Sequence, residues 1–230
     1  NNFTISKFGF WISSITYRPD YTSPFNYPIP NRVAWPSWGI CFRGVISRRH
    51  KRMNRLNKDV SKFRLDGQAA LVTGSTRGIG WAIARGMAES GSTVYVNGRD
   101  KKVLAARCKN LIDLGYDAKP AFFDATNIEA INRFLDYTET PIDILVNNAA
   151  IRLRKPLNEI SPKAFSEVLE ANLTSIYAIS RSFAARLEDQ QTNGSLINIT
   201  SIAGPRARPG DPAYTAAKGG LEALTRSLAV

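Results

Sequence analysis

The chain of 230 residues has few of the residues that build metal centres or disulfide frameworks. It contains two cysteines, Cys41 and Cys108, and one histidine, His50. The cysteines lie in regions of different composition and lack the spacing of metal ligands, so we expect free thiols in a reducing compartment. His50 stands in a basic run, which favours an exposed side chain over a catalytic one. We therefore expect no metal site, and a cytoplasmic protein.

Long apolar runs and an even distribution of acidic residues are also missing. No stretch of about 18 apolar residues occurs, so the sequence predicts neither a transmembrane helix nor a membrane partner. Residues 1–64 contain 12 Lys/Arg but only 2 Asp/Glu, whereas residues 65–230 contain 19 and 17. The net charge of +12 therefore belongs to the N-terminal segment, and the nearly neutral remainder gives no reason to expect a nucleic-acid partner.

Residues 1–52 differ from the rest of the chain. They hold eleven aromatic residues and five prolines with a single acid, Asp20, and no helical or strand period persists through them. Three interpretations stay open: a targeting presequence, a nucleic-acid contact around residues 48–52, or sequence foreign to the native protein. Because the chain begins with Asn and Met53 precedes a short polar lead into a strand, we favour the third. We predict an irregular or non-native extension at 1–52 and one catalytic domain at 53–230.

From Leu65 onward, short apolar runs typical of buried strands alternate with segments of helical period. The predicted strands are 69–73, 93–97, 118–123, 142–146 and 195–200. The predicted helices are 79–89, 101–114, 128–137, 161–188 and one that starts near Asp211. This order predicts an α/β fold with a doubly wound parallel sheet and helices on both faces, the three-layer αβα arrangement of a Rossmann fold.

The first predicted strand runs into a glycine-rich turn, residues 73–80, that begins a helix. Backbone N–H groups at a helix start bind phosphate, and the helix dipole favours negative charge there. Glycine allows the tight turn and the close approach of backbone to phosphate. The turn therefore predicts a dinucleotide site. Its predicted contacts are Gly74, Ser75, Arg77, Gly78, Ile79 and Gly80.

The second predicted strand ends where an NAD site usually places an acid that binds the ribose hydroxyls. This chain has Asn97 there, with Arg99 close behind and Arg77 inside the glycine turn. A 2′-phosphate would meet two guanidinium groups and no carboxylate. Because a charge-assisted Arg–phosphate contact contributes about 1.5–3 kcal/mol, these three residues predict NADP over NAD.

Tyr214 lies thirteen residues after Ser201, and Lys218 follows Tyr214 by four residues. A spacing of four places Tyr214 and Lys218 on one face of a helix. A tyrosine with its ordinary pKa of about 10 is a poor base near neutrality, but a neighbouring ammonium favours the phenolate. We expect Tyr214 to take the hydroxyl proton when the substrate is oxidised and to return it in reduction. Ser201 would hydrogen-bond the same oxygen and stabilise its developing charge.

These features occur together in the order and at the intervals of the short-chain dehydrogenase/reductases, which residues 65–230 resemble. The shared positions are residues 73–80, Asn147-Asn148-Ala149-Ala150, Asn172, Ser201, Tyr214 and Lys218. One departure is Ala150, where the family usually has Gly. The resemblance implies an NADP-dependent oxidoreductase that assembles as a homodimer or homotetramer.

The resemblance also implies roles for individual residues. Asp124, after the third strand, should contact the adenine. Asn147 and Ala149 should line the nicotinamide side of the cleft. Asn172 should fix a water that links Lys218 to solvent, and Lys218 should also hold the ribose of the cofactor.

Finer detail resembles the gluconate 5-dehydrogenases, which interconvert gluconate and 5-keto-gluconate with NADP(H). The segments that carry this likeness are residues 96–99, 154–157, 199–204 and 213–221. A substrate carboxylate needs a cation, and Arg154 follows the fourth strand, where open α/β sheets bind ligands. Arg154 is therefore the predicted substrate contact, with Ser201 and Tyr214. Arg152, Arg206 and Arg208 are further candidates.

Two alternatives stay open. One is a 3-oxoacyl carrier-protein reductase, which would use the same catalytic residues and could meet an acidic carrier through its basic loops. The other is an inactive fragment that only binds cofactor, because the family continues with two further strands beyond the position of Val230. Without a sixth strand, one edge of the sheet would be bare and prone to association.

Overall fold

A computed structural model describes residues 63–206 and 208–229 of the chain. The predictions about residues 1–52 and the start at Met53 lie outside the described residues, as do Cys41 and His50. No helix in the described part is long and apolar enough to cross a membrane.

Five parallel strands form one sheet in the described part of the chain, in the order β3-β2-β1-β4-β5. They are β1 (Ala69–Val72), β2 (Thr93–Gly98), β3 (Ala118–Phe122), β4 (Ile144–Asn147) and β5 (Ser195–Asn198). Val72 of β1 is in register with Val96 of β2 and Val146 of β4, so the carboxyl ends of these strands lie side by side. The strand order reverses between β1 and β4, and ligands bind at this point in open α/β sheets.

Helices connect the strands. They are α1 (Gly78–Glu89), α2 (Lys101–Asp113), α3 (Ile128–Tyr137), α4 (Pro162–Leu169), α5 (Ser175–Asp189) and α6 (Pro212–Ser227), with a short 3-10 turn at Leu157–Glu159. The strand bounds and the first three helices differ from the predicted ones by at most two residues at each end. The backbone is helical over the predicted 161–188, from Pro162 to Asp189, but a π-helical turn at Glu170–Thr174 that the sequence did not predict divides this helix into α4 and α5.

Alternate side chains of the strands point to opposite faces of the sheet and build two apolar layers. On one face Leu71 of β1 packs with Ile131 of α3 and Phe183 of α5. On the other face Val72 packs with Ala84 of α1 and Leu104 of α2. Helices therefore cover both faces, which confirms the predicted doubly wound fold. The outermost strand on one side, β5, is half-buried throughout.

Candidate active site

The glycine turn lies directly against the loop that follows β4. Gly74 has φ +61°, and a Cβ added there would meet the Ala149 Cα at 2.9 Å. A Cβ on Gly80 would meet the Gly74 carbonyl oxygen at 2.5 Å. A side chain at either position would push these backbones apart. The turn is thus shaped for close contact of backbone with backbone, and it leaves an open cradle at the start of α1.

The start of α1 differs from the starts of α2, α3 and α4. Asp100, Asn127 and Ser161 cap those three helices by accepting hydrogen bonds from backbone N–H groups. Arg77 occupies the same position in α1 and makes no side-chain capping bond. The N–H groups of the first turn of a helix have no acceptor within the helix. These N–H groups are therefore available to an anionic group, and the cradle fits the pyrophosphate of a dinucleotide.

Thr73 and Asn148 hold the cradle in place. The Thr73 Oγ1 accepts hydrogen bonds from the backbone N–H groups of Asn148 at 2.9 Å and Ala149 at 3.0 Å. The Asn148 amide donates to the Thr73 carbonyl at 2.9 Å and to the Gly74 carbonyl at 3.2 Å. The Ser75 hydroxyl is turned inward, donating to the Val72 carbonyl at 2.7 Å. Ser75 is 0% exposed and its backbone N–H donates to the Asn97 carbonyl at 3.0 Å, so neither its hydroxyl nor its N–H is free for a cofactor. Ile79, in contrast, is exposed on the first turn of α1.

Asn97 is turned into the protein, and its predicted contact with the cofactor stays a prediction. The side chain is 2% exposed and accepts a hydrogen bond from the Gly74 N–H at 2.9 Å. Its amide donates to the carbonyls of Ala121 at 2.9 Å and Phe123 at 3.0 Å. The strand alternation turns this side chain inward, so Asn97 supports the glycine turn from below. Its bearing on the choice of cofactor is indirect.

Arg99 and Asp124 form an ion pair beyond the ends of β2 and β3. The Arg99 Nη1 lies 3.2 Å from the Asp124 Oδ2, while Asp124 Oδ1 accepts from the Thr126 N–H and hydroxyl. Burial pushes the pKa of Asp124 upward, but the hydrogen bonds from Thr126 and Arg99 outweigh it and hold that pKa below its ordinary value. Arg99 and Arg77 are both exposed, so their guanidinium groups are accessible to a 2′-phosphate.

Lys218 is buried on α6 with its ammonium directed at the end of β5. The side chain is 1% exposed, and its Nζ donates to the Ile199 carbonyl at 2.7 Å. Nζ also lies 5.8 Å from the centroid of the Tyr214 ring. Burial lowers the pKa of Lys218 to about 8. The structure thus brings Tyr214 and Lys218 together as predicted, with the phenol partly accessible.

Ser201 lies in the loop after β5, half-buried, where its Oγ accepts a hydrogen bond from the Ala203 N–H at 3.1 Å. Ile202 beside it is 71% exposed. Gly204 in the same loop packs close to α6, since a Cβ there would meet the Gly219 nitrogen at 3.1 Å. The loop that carries Ser201 is therefore fixed against the helix that carries Tyr214.

Asn172 lies on the π-helical turn and is fully buried. Its Oδ1 accepts from the Ile151 N–H at 3.2 Å, and its Nδ2 donates to the carbonyls of Ile151 at 2.9 Å and Val168 at 2.8 Å. The bond to Val168 accounts for the interruption of the helix, because the side chain bonds a carbonyl that an α-helix would pair with the Asn172 N–H. Asn172 thus anchors the loop after β4. Its part in holding a water stays a prediction.

Asn147 is also turned inward, and its predicted place on the nicotinamide side of the cleft stays a prediction. Its amide donates to the Ser180 Oγ at 3.1 Å and to the Asn198 Oδ1 at 2.9 Å, and Asn198 donates to the Thr225 Oγ1 at 2.9 Å. This network ties α5, β4, β5 and α6 together beneath the site. Asn147 and Ala149 border a small cavity beside α5, and Ala149 is half-buried.

The arginines after β4 meet a buried carboxylate. Asp211 is 0% exposed, and its Oδ2 accepts from the Arg152 Nε at 2.8 Å, with the Arg154 Nε 3.6 Å away. Arg154, Arg206 and Arg208 have exposed side chains. The structure therefore places Arg152 and Arg154 beside α6, where an anionic substrate group could reach them.

Sequence reasoning assigned no individual role to several residues that shape the site. These are Thr73, Asn198, Asp211 and Arg107, whose Nε donates to the Thr76 carbonyl. The sequence indicated Asp211 only as the start of a helix, before Pro212. Arg152 is 59 positions away, and nothing in that spacing indicates that the two residues form an ion pair. In the described residues, no cluster of three or more His, Cys, Asp or Glu could hold a metal ion.

Comparison with known proteins identifies a family and several similar enzymes. The family profile for short chain dehydrogenases matches residues 68–230. A gluconate 5-dehydrogenase of Gluconobacter oxydans is 36% identical over 170 residues, which cover 73% of this chain and 66% of that enzyme. The 3-oxoacyl-[acyl-carrier-protein] reductase FabG of Haemophilus influenzae is 35% identical over 168 residues, which cover 72% of this chain and 68% of that enzyme.

Solved structures agree with these relatives. A gluconate 5-dehydrogenase from Burkholderia cenocepacia J2315, in complex with NADP and tartrate, superposes with a TM-score of 0.70 at 35% identity, covering 74% of this chain and 68% of that one. A putative gluconate dehydrogenase from Agrobacterium tumefaciens gives a TM-score of 0.70 at 39% identity, covering 73% and 67%. By the match of its sequence, its sheet and its Ser201, Tyr214 and Lys218, the chain belongs to the short-chain dehydrogenase/reductase family.

Proposed function

We propose that this chain is an NADP-dependent oxidoreductase that transfers a hydride between the nicotinamide and a carbon of a sugar acid, with gluconate and 5-keto-gluconate as the substrate pair. The observation that carries the proposal is the buried ammonium of Lys218 beside the phenol of Tyr214. Their helix meets the same loop after β4 that lies against the glycine turn, through Arg152 on the Tyr214 ring and Ala149 beside Gly74. The chain spans about two thirds of the length of the enzymes it matches, 66% for the Gluconobacter enzyme.

The cofactor would be held by the cradle and by two arginines. The uncapped first turn of α1 offers backbone N–H groups to the pyrophosphate, and Arg77 and Arg99 offer guanidinium groups to a 2′-phosphate. Asp124 would lie on the adenine side, where its pair with Arg99 orients that arginine. The NADP in the Burkholderia enzyme supports this choice of cofactor.

The residues of the chain handle the proton, while the nicotinamide, when bound, accepts or donates the hydride. In oxidation the Tyr214 phenolate takes the hydroxyl proton, and in reduction the phenol returns it to the carbonyl oxygen. Lys218 favours the phenolate because its ammonium is buried, where an interaction between charges is screened less than in water. Ser201 donates a hydrogen bond to the same oxygen and stabilises its developing charge.

The substrate carboxylate would meet Arg154, with Arg152 beside it. Arg154 keeps most of its side chain exposed although its Nε lies 3.6 Å from Asp211, so it retains donors for a ligand. A planar guanidinium matches a carboxylate better than an ammonium does. The tartrate bound in the Burkholderia enzyme is also a hydroxy-carboxylate, which supports this class of substrate.

A second candidate is reduction of a 3-oxoacyl thioester on a carrier protein. The FabG relative favours it, and so do two exposed apolar side chains next to site residues, Ile151 beside Arg152 and Ile202 beside Ser201. Exposed apolar groups at the mouth of a site suit an acyl chain better than a polyol.

The test is the rate of NADPH oxidation by the chain with 5-keto-gluconate and with acetoacetyl thioesters. We expect turnover of 5-keto-gluconate, and a loss of about 10²–10⁴-fold in Tyr214→Phe, which removes the phenol but keeps the ring. Faster thioester reduction would favour the second candidate. NADPH binding without turnover of any substrate would leave a protein that only binds cofactor.

Cofactor choice has its own test. Removing a charge-assisted phosphate contact weakens binding by roughly ten- to hundredfold. We expect Arg77→Gln and Arg99→Gln to lose affinity for NADPH by that factor and to leave NADH binding unchanged, as measured by titration of cofactor fluorescence. Arg133→Gln, an exposed arginine of α3, is the matched control. Equal losses for both cofactors would show that these arginines do not bind the 2′-phosphate.

A further inference from the structure

The guanidinium of Arg152 lies against the ring of Tyr214. The Arg152 Cζ is 5.0 Å from the ring centroid, closer than the 5.8 Å from the Lys218 Nζ to the same point. A cation over an aromatic face is attracted to it, and the attraction grows when the ring system becomes anionic. Tyr214 is therefore flanked by two cations, of which the sequence pattern predicts only Lys218.

Asp211 holds Arg152 in this position. Its Oδ2 accepts hydrogen bonds from both the Nε and the Nη2 of Arg152. Asp211 occupies the N-cap position of α6, yet its carboxylate accepts no hydrogen bond from the helix N–H groups, whereas the Asp100 carboxylate at the start of α2 accepts two. The carboxylate at the start of the Tyr214 helix is thus committed to Arg152 instead of to its own helix.

Separating Arg152 from Asp211 is energetically unfavourable. Asp211 is fully buried, and its Oδ1 has no hydrogen-bond partner among the described residues. Separating Arg152 would leave a buried carboxylate with only Arg154 nearby, which is strongly unfavourable. The hydrogen bond from Arg152 holds the pKa of Asp211 below its ordinary value, and the same bond raises the pKa of Arg152. Both groups therefore stay charged near neutral pH.

We propose that Arg152 is a positioning residue, held over the Tyr214 ring by Asp211, whose charge favours the phenolate alongside that of Lys218. The proposal rests on the proposed function only in taking Tyr214 as the base. The contacts among Arg152, Asp211 and Tyr214 do not depend on the substrate.

The two cations act over different pH ranges. Burial lowers the pKa of Lys218 to about 8, so Lys218 loses its charge as the pH rises through that value. Arg152 keeps its charge there and continues to favour the phenolate. The charged groups around the ring are Lys218 on α6, Arg152 from the loop after β4, and Asp211 with Arg154 behind Arg152.

The test uses two substitutions with opposite effects on charge. Arg152→Gln removes the cation and is expected to move the midpoint of the Tyr214 phenolate titration to higher pH by about half a unit or more. Asp211→Asn removes the opposing anion, keeps an acceptor for Arg152, and is expected to move the midpoint to lower pH. The ultraviolet absorbance of phenolate reports the titration, and subtracting the spectrum of the matching Tyr214→Phe protein isolates this one tyrosine.

Further variants keep the test decisive if a single substitution unfolds the chain. Arg152→Lys keeps the charge and is expected to leave the midpoint close to that of the parent chain. The double variant Arg152→Gln with Asp211→Asn contains no unpaired buried charge and is expected to fold, with a midpoint between those of the single variants. Midpoints that coincide in the parent chain and all these variants, or that move in the same direction in both single variants, would overturn the proposal.

The pH dependence of kcat/KM for gluconate oxidation gives a second reading. Its rising limb is expected to move in the same directions as the spectroscopic midpoint, with Arg133→Gln as the control that leaves it in place. Shifted midpoints without turnover of any substrate would refute the proposed function and leave the Arg152 assignment standing. Normal turnover, with no shift in either the rising limb of the pH profile or the spectroscopic midpoint, would refute the Arg152 assignment and leave the proposed function standing.

Discussion

Lys218 carries a charge in an almost fully buried position, and the fold must bear that cost. Its pKa falls from the usual value for lysine to about 8, so between about pH 8 and 10.5 the unfolded chain binds more protons than the folded one. The cost is therefore complete below pH 8 and disappears as the pH rises through this range. A shift of this size corresponds to roughly 3 kcal/mol, less what the bond to the Ile199 carbonyl returns.

Lys218→Met is accordingly expected to stabilise the fold at pH 7 by about 1–3 kcal/mol while abolishing catalysis. The gain should shrink towards zero near pH 10.5, as measured by urea unfolding at the two pH values. Lys163→Met, at an exposed position on α4, is the control and should show no such dependence on pH. A gain that stays constant with pH would mean that the ammonium is not the source of the cost.

Asn97 gives a second prediction for a single residue. Asn97→Asp keeps the acceptor for the Gly74 N–H but turns a carboxylate toward the carbonyls of Ala121 and Phe123, which lose their donors. We expect a loss of about 2–4 kcal/mol in the free energy of unfolding and no gain in NADH affinity. Asn158→Asp, at an exposed site, is the control. A stable Asn97→Asp protein that prefers NADH would show that this side chain faces the ribose.

Residue types and spacing predicted the Tyr214–Lys218 pair and the glycine turn, because a helix period and a backbone conformation tie these positions to one another. The direction of the polar side chains was not predictable in this way. Asn97 and Asn147 lie at the carboxyl ends of β2 and β4, where the strand alternation turns them inward. A polar residue at a strand end is equally compatible with an outward contact. Only the packed sheet decides between the two.

At the scale of elements, the glycine turn owes its shape to a positive φ and to a close neighbour. Gly74→Ala would place a methyl group 2.9 Å from the Ala149 Cα at φ +61°, so the backbone would have to shift. We expect a loss of about 2–4 kcal/mol in stability and weaker NADPH binding, measured by thermal unfolding with and without cofactor.

A glycine inside α1 provides the matched control. A Cβ on Gly86 meets nothing within 4 Å, so Gly86→Ala should stabilise the helix by about 0.5–1 kcal/mol. If Gly74→Ala were as stable as Gly86→Ala and bound NADPH normally, the turn would not need its left-handed conformation.

The helices and strands were largely predictable from the sequence. Apolar residues recur at different intervals in a strand and in a helix, which distinguishes the two where they alternate along the chain. The interruption at Glu170–Thr174 was not predictable, because the apolar positions of α4 and α5 continue nearly in step across it. A side chain that bonds a carbonyl of its own helix, as Asn172 does with Val168, leaves little trace in such a period. The sequence singled out Asn172 only through its resemblance to a family.

At the scale of the whole molecule, the strand order brings the ends of β1, β2, β4 and β5 to one edge, and every residue of the proposed site lies in the described part of the chain. A chain that starts at Met53 is therefore expected to bind NADPH with the same affinity as the longer one and to elute in the same oligomeric state. Fluorescence titration and size-exclusion chromatography check this. A large loss of affinity would assign a role in binding to residues 1–52.

The parallel sheet also has a consequence for the order in which parts of this protein can fold while the ribosome synthesises it. The groups proposed to hold the nucleotide are synthesised first, from the glycine turn to Asp124, whereas Ser201, Tyr214 and Lys218 leave the ribosome much later. Domains fold progressively from the N-terminal side during translation. Yet β1 pairs with both β2 and β4, so the early half is completed only when β4 arrives. We therefore expect a nascent chain to complete its proposed nucleotide site before the residues proposed to transfer the proton have been synthesised.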